Sequence, residues 1–176
     1  MFKLAVTLVL PFCLLACSSP AQKSMRAVPD QLHVPAGNKL ALELHASGVQ
    51  IYTCQPKKDD ATQFEWALTA PDARLMENGK DAGHHFKGPT WEAKDGSKVV
   101  GKLEQKLDAP GANDIPWLLL SAKSHEGAGR FDKVSFIQRV DTKGGKPSKE
   151  NCDAAHAGQE QRVKYEANYL FYVPGA

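Results

Sequence analysis

From Leu32 onward apolar and polar residues alternate with a period of two. Leu40, Leu42, Leu44 and Ala46 interleave with Ala41, Glu43 and His45, which sets one face of a strand toward a core because successive side chains of an extended chain point to opposite sides. Ser47-Gly48 predicts a turn after it, with residues 49–54 as the partner strand and residues 64–68 as a third, beyond the charged loop 56–63. Residues 115–120 are almost continuously apolar and predict a central strand, with Pro116 confined to its beginning. Residues 134–140 predict another. At the C-terminus Val163, Tyr165, Ala167, Tyr169, Phe171 and Val173 hold alternate positions, the strongest strand signal in the chain. No window of comparable length carries apolar residues at i, i+3, i+4 and i+7, so helices should be few or short. The pattern predicts an all-β, single-domain antiparallel β-sandwich or barrel of about eight to ten strands, occupying residues 31–176.

Within this pattern Asp95-Gly96 reads as a two-residue hairpin turn, placing Lys94 opposite Ser97, Glu92 opposite Val99 and Trp91 opposite Val100. Core packing against a branched partner is then the expected role of Trp91. His84 and His85 are adjacent, so an extended chain points them to opposite faces and they cannot share one metal ion. His33, His45, His125 and His156 are scattered without ligand spacing, and no metal site is expected.

The first thirty residues depart from the alternation. Lys3 precedes an apolar run over residues 4–15, shorter than the roughly 20 residues a membrane-spanning helix needs, and residues 1–16 read as a leader. Leu14-Leu15-Ala16-Cys17 resembles the lipobox of bacterial lipoproteins. That resemblance implies cleavage before Cys17, a diacylglycerol thioether on its sulfur and acylation of its amino group. At about 0.8 kcal/mol per buried methylene, two or three acyl chains would hold the chain on a membrane. Residues 17–30, the lipidated cysteine and a polar, proline-containing stretch, read as a tether. Ser18, where an Asp would resemble an inner-membrane retention signal, favours the outer membrane, facing the periplasm; a secreted or periplasmic location is the alternative.

Composition removes several function classes. Lys and Arg number 22 against 20 Asp and Glu, interspersed along the chain, so there is no basic stripe for a nucleic acid. Cys13 leaves with the leader and Cys17 is consumed by lipid, which leaves Cys54 and Cys152 as a pair that should oxidise in an exported protein. There is no C-x-x-C, no G-x-S-x-G elbow, and no glycine-rich turn opening a helix after a strand, so neither a redox pair nor a nicotinamide site is expected and no cofactor is implied. Glu92, Asp95 and Asp141 are acidic residues that solvated strand edges explain.

Several ordered blocks carry a resemblance. They are Gly48-Val49-Gln50-Ile51-Tyr52-x-Cys54, then Trp66 with Ala70-Pro71-x-Ala73-x-Leu75, then His85-Phe86-x-Gly88-Pro89-Thr90-Trp91-Glu92 with Asp95-Gly96-Ser97. Ile115-Pro116-Trp117-Leu118-Leu119-Leu120, Ile137-Gln138-Arg139-Val140, Thr142-x-Gly144-Gly145, Cys152 and Tyr165-x-Ala167-x-Tyr169-x-Phe171-Tyr172 follow in order. From about residue 30 to the end the chain resembles the family "domain of unknown function 3455". The resemblance implies a secreted protein, as in bacterial and fungal relatives, and transfers no activity. A dehydrogenase label attached to some fungal relatives has no counterpart here, because the nucleotide-binding elements are lacking.

Two functions fit these observations. One is a non-catalytic cell-envelope module that binds a small molecule, a glycan or a protein. The other is a hydrolase whose site gathers His85, Glu92 and Arg139 from separate strands. The expected ligand-binding residues are His85, Lys87, Trp91 and Glu92, with Arg139 from another strand, since Gly88-Pro89 interrupts regular pairing and can let side chains gather at a sheet end.

Overall fold

The computed structural model describes residues 28–175; Cys17, the leader and most of the expected tether lie outside the described residues. Eight strands follow one another around a closed barrel: β1 (Asn38–Pro56), β2 (Phe64–Glu77), β3 (Lys80–Phe86), β4 (Thr90–Ala93), β5 (Lys98–Leu107), β6 (Trp117–Glu126), β7 (Phe136–Gly144) and β8 (Glu160–Pro174). Every pair is antiparallel, and β8 closes the ring on β1 with Ala46 opposite Ala167. Closure leaves no sheet edge running the full length of the barrel. The helical pieces among the described residues are two 3-10 turns, Asp30–Leu32 and Ala154–His156. The fold is therefore all-β as the alternation predicts, and of the two architectures left open it is the barrel.

Alternation sorts the side chains. Tyr165, Ala167, Tyr169 and Phe171 of β8 point inward with Leu44, Ala46, Leu75, Val99, Leu120 and Ile137, while Arg74, Lys123, Arg162, Lys164 and Glu166 are exposed on the outside. This is the reverse of the apolar outer band of a membrane-spanning barrel. One end is plugged by the β6–β7 loop, whose Phe131 and Val134 are buried, with Phe131 tilted against Phe171 at 4.7 Å. The Asp95 carboxylate pins that plug, accepting from the Ser97 and Arg130 amides at 2.9 Å each.

Three local expectations need correction. Ser47-Gly48 does not turn the chain; β1 runs through it, because Gly48 lets β2 approach so closely that a Cβ there would lie 2.2 Å from the Asp72 carbonyl oxygen. Leu40 is 49% exposed rather than buried with Leu44, since the pairing of β1 with β8 shifts register between Leu40 and Leu42. In the β4–β5 hairpin the observed pairs are Thr90 with Val100, Trp91 with Val99 and Glu92 with Lys98, one residue from the expected register. Only Gly96 takes a positive φ there, and the Ala93 carbonyl accepts from the Gly96 amide at 2.9 Å, so the connection is a longer turn with glycine at its end rather than a two-residue loop. The strands expected over 115–120 and 134–140 start two residues later and continue well past those bounds as β6 and β7.

At the open end a disulfide joins Cys54, near the end of β1, to Cys152 in the β7–β8 loop, with Cα atoms 5.4 Å apart. This is the expected pairing, and it lies well inside the limit of about 7 Å for bridging. The same loop is held by Trp66, whose indole N–H donates to the Glu150 carbonyl at 3.0 Å.

Candidate functional site

Unequal strand lengths open the barrel wall. β3 and β4 have 7 and 4 residues, against 14 in β2 and 10 in β5. β3 follows β2 only as far as the Ala73–His85 pair, and β4 follows β5 only as far as Thr90–Val100. Beyond those pairs the first half of β2 and the second half of β5 flank a gap floored by the turn at Gly88-Pro89. Leu68 and Leu103, one on each side, are 56% and 51% exposed, and both line the cavity that opens there.

That cavity measures about 530 Å³, inside the ~300–1,000 Å³ range of small-molecule sites. Its walls are mainly aromatic and aliphatic, among them Trp66, Pro71, Trp91, Ile115, Leu118 and Leu120. In a ring of eight strands β7 and β8 stand opposite β3 and β4. On that far wall and the adjoining β1 most of the polar lining is found: Arg139 of β7, Tyr169 of β8, and Gln50 and Tyr52 of β1.

His85 reaches the cavity through a change of parity. Ala82 and His85 are both buried although three residues apart, because the β2–β3 register shifts between Leu75 and Met76. Its neighbour His84 stays outside and bonds Asp72 at 2.9 Å. The His85 ring stacks on Trp91 with centroids 4.4 Å apart and planes 9° apart, and meets the edge of Tyr169 at 5.0 Å. Its Nδ1–H donates to the Thr90 carbonyl at 2.9 Å, which fixes the tautomer and leaves Nε2 as an acceptor. Burial pushes its pKa down from 6.5 to about 3; the charges of Arg139 and His84 act in the same direction and the Thr90 bond opposes them. The imidazole is neutral at physiological pH.

Arg139 is 9% exposed. Its Nε and Nη2 donate to the Pro116 carbonyl at 3.0 and 2.9 Å, and it makes no ion pair with any carboxylate among the described residues. A buried ion without a counter-charge costs several kcal/mol in a protein interior. Its field reaches Tyr52, Tyr165 and Tyr169, favouring their ionised forms, yet burial prevails and holds all three phenols above the usual range. Tyr52 donates to the Gly145 carbonyl at 2.7 Å. Around the same space Gln50 Nε2 and Trp91 Nε1 are buried without a hydrogen-bond partner, while the Tyr165 and Tyr169 hydroxyls interact with each other and Tyr169 also with Arg139.

The barrel thus brings His85, Trp91 and Arg139 to one cavity and leaves Lys87 and Glu92 outside it. Lys87 is exposed on the β3–β4 turn, where its carbonyl accepts from the Thr90 hydroxyl at 3.1 Å. Glu92 follows Trp91 in an extended strand and so faces outward, with a carboxylate oxygen 3.9 Å from Lys98 Nζ. In the sequence Gln50, Tyr52 and Tyr169 stand out as strand residues and as members of the blocks that carry the family resemblance, not as ligand-binding candidates. The signal for Gln50 is a long polar side chain in phase with Tyr52 and Cys54. Among the described residues no group of three His, Cys, Asp or Glu side chains is placed to hold a metal ion.

A closed antiparallel barrel, plugged at one end and opening through a gap in its wall to an aromatic cavity, defines the architecture. A family model described as "Protein of unknown function (DUF3455)" matches residues 35–173, all of the barrel but the last residue of β8, and the chain belongs to that family. No curated protein and no solved structure matches it.

Proposed function

We propose that this chain is a lipid-anchored protein of the cell envelope whose barrel binds one small organic molecule and does no chemistry on it. The observation that carries this reading is the cavity of about 530 Å³. Protein interiors are close-packed, and each buried donor left unbonded costs about 1–3 kcal/mol. A ligand that fills the space and offers an acceptor to Arg139 accounts for both features at once. Leu14-Leu15-Ala16-Cys17 supports the anchor and Ser18 the outer membrane, while the Cys54–Cys152 bond agrees with an oxidising compartment.

Binding is favoured over hydrolysis by the lining. Among the described residues it includes no carboxylate, serine or cysteine. His85 is oriented by a carbonyl rather than a carboxylate, so nothing on its Nδ1 side would stabilise an imidazolium. Glu92 lies on the outer face, away from any substrate in the cavity.

The test is a titration with the neutral fluorescent probe N-phenylnaphthylamine. Wild type should bind it saturably at one site per chain, and Ala70→Trp, which fills the cavity from β2, should abolish that site while the chain stays folded by circular dichroism. Equal, non-saturating fluorescence in both proteins would refute a binding cavity.

A further inference from the structure

Resting on the reading of the cavity as a binding site, we infer that its ligand is a single-headed carboxylate with an apolar body, its anionic end on Arg139 and its body running toward the gap between Leu68 and Leu103. The guanidinium stays charged at every pH a protein survives. Two of its five N–H groups are engaged by the Pro116 carbonyl, and the Tyr169 hydroxyl is the other protein group that interacts with the guanidinium. The three not held by Pro116 include both hydrogens of Nη1 and the second of Nη2, an end-on fork that matches the two oxygens of a carboxylate. A neutral head group would leave this buried charge uncompensated.

Donor and acceptor bookkeeping points the same way. Gln50 Nε2 and Trp91 Nε1 can only donate, and both are buried without partners. On the other side of the balance, the Tyr52 hydroxyl has given its proton to Gly145 and offers only lone pairs. His85 Nε2 is the one ring nitrogen in the lining that offers a lone pair. The site holds a surplus of donors, which disfavours an ammonium or amine ligand and favours an acceptor-rich head.

Orientation follows from the order of strands. Arg139 sits on β7, opposite the gap left by the short β3 and β4, and Leu68 and Leu103 make the edges of that gap apolar. A ligand entering head first would place its charge on the far wall and its tail between the two leucines. Lys106 is the other cation in the lining, on the gap side, so one buried charge is matched by one anionic group. The volume is about eighteen times the ~30 Å³ share of a liquid water, room for a body on the order of 15–20 non-hydrogen atoms.

The experiment displaces N-phenylnaphthylamine from the full chain with decanoate, decanol and decylamine. Decanoate should compete about 10- to 100-fold more strongly than decanol, the span expected of a charge-assisted hydrogen-bonded pair, with decylamine weakest. Arg139→Met should bring the ratio of acid to alcohol affinity close to one, Arg139→Lys should restore part of it, and Lys87→Ala, outside the cavity, should leave it as in wild type. The wild-type ratio needs no variant to fold. Equal competition by acid and alcohol overturns the carboxylate assignment while leaving the cavity reading intact, and a preference that vanishes in Lys106→Ala but survives Arg139→Met overturns the role of Arg139. Failure of the probe itself to bind the folded wild type removes the cavity reading and this inference with it.

Discussion

Acidification should weaken this barrel through one side chain well before its carboxylates are protonated. His85 is buried against Trp91 and Tyr169 beneath the charge of Arg139, and its pKa falls from 6.5 to about 3 on folding. Between those two values the unfolded chain binds a proton that the folded chain refuses. Stability is therefore fully present above the unfolded pKa and declines as the pH falls, by about 1.4 kcal/mol per pH unit. From pH 6.5 to 4.5 the loss amounts to about 2–3 kcal/mol, a large share of the ~5–15 kcal/mol that holds a typical domain together. Asp72, Asp81, Asp95 and Asp153 have pKa values held below their ordinary 3.8, mainly by hydrogen bonds from His84, Lys94, Ser97 and His156 respectively. Their contribution is present above that value and lost below it, so they add little in the pH window of His85. His85→Phe keeps an aromatic ring on Trp91 and removes the titration. It also leaves the Thr90 carbonyl without its donor, a cost of about 1–3 kcal/mol at neutral pH. Urea unfolding followed by tryptophan fluorescence at steps of pH should show the variant less stable near neutrality and the two curves converging toward pH 4.5. Parallel curves, or a wild-type stability flat across that window, would refute the assignment of the slope to a buried neutral imidazole.

Two further outcomes are expected. Cys152→Ser should lower stability by about 2–5 kcal/mol: a loop with a sequence separation of 98 sets a chain-entropy ceiling of about 4.7 kcal/mol, and the Trp66–Glu150 bond retains part of the tie. Identical urea midpoints with and without reductant would argue against a structural role for the bond. Mass spectrometry of the N-terminal peptide should find lipid on Cys17, with Cys17→Ala leaving the membrane fraction; an unmodified N-terminus at Ser18 or later would sink the anchor.

What could be read along the chain was whatever depends on period alone. The inward set Tyr165, Ala167, Tyr169 and Phe171 follows directly from alternation, and the Cys54–Cys152 bond from elimination together with the expectation of export. What could not be read depends on which strand lies alongside. Ser47-Gly48 looks like a turn because glycine is frequent in turns, but at Gly48 it serves a close approach by β2, and nothing near Gly48 in sequence distinguishes the two. Asp95-Gly96 is a turn as expected, yet its length sets the register of Trp91 against Val99, and a difference of one residue is beyond what the dipeptide specifies. The choice of barrel over sandwich rests on β1 pairing with β8, more than a hundred residues away in sequence.

The cavity lies further still from what alternation can express, because it depends on two departures from regularity in the same wall. The β2–β3 register shift turns His85 inward next to Trp91, where strict alternation from Ala82 would have placed His84. The shortness of β3 and β4 then removes the wall above that pair and lets the interior reach solvent between Leu68 and Leu103. Arg139 faces inward by ordinary alternation from Ile137, so its direction was legible. Its lack of a counter-ion was not, since that depends on seven other strands supplying no carboxylate to the same space. The interior of an eight-stranded barrel has room for its own side chains or for one small ligand, and the gap beside β3 and β4 is what opens this one to solvent. On the reading proposed above, irregular β3 and β4 would provide the way in, and Arg139, with no carboxylate beside it, would give an anion a reason to stay.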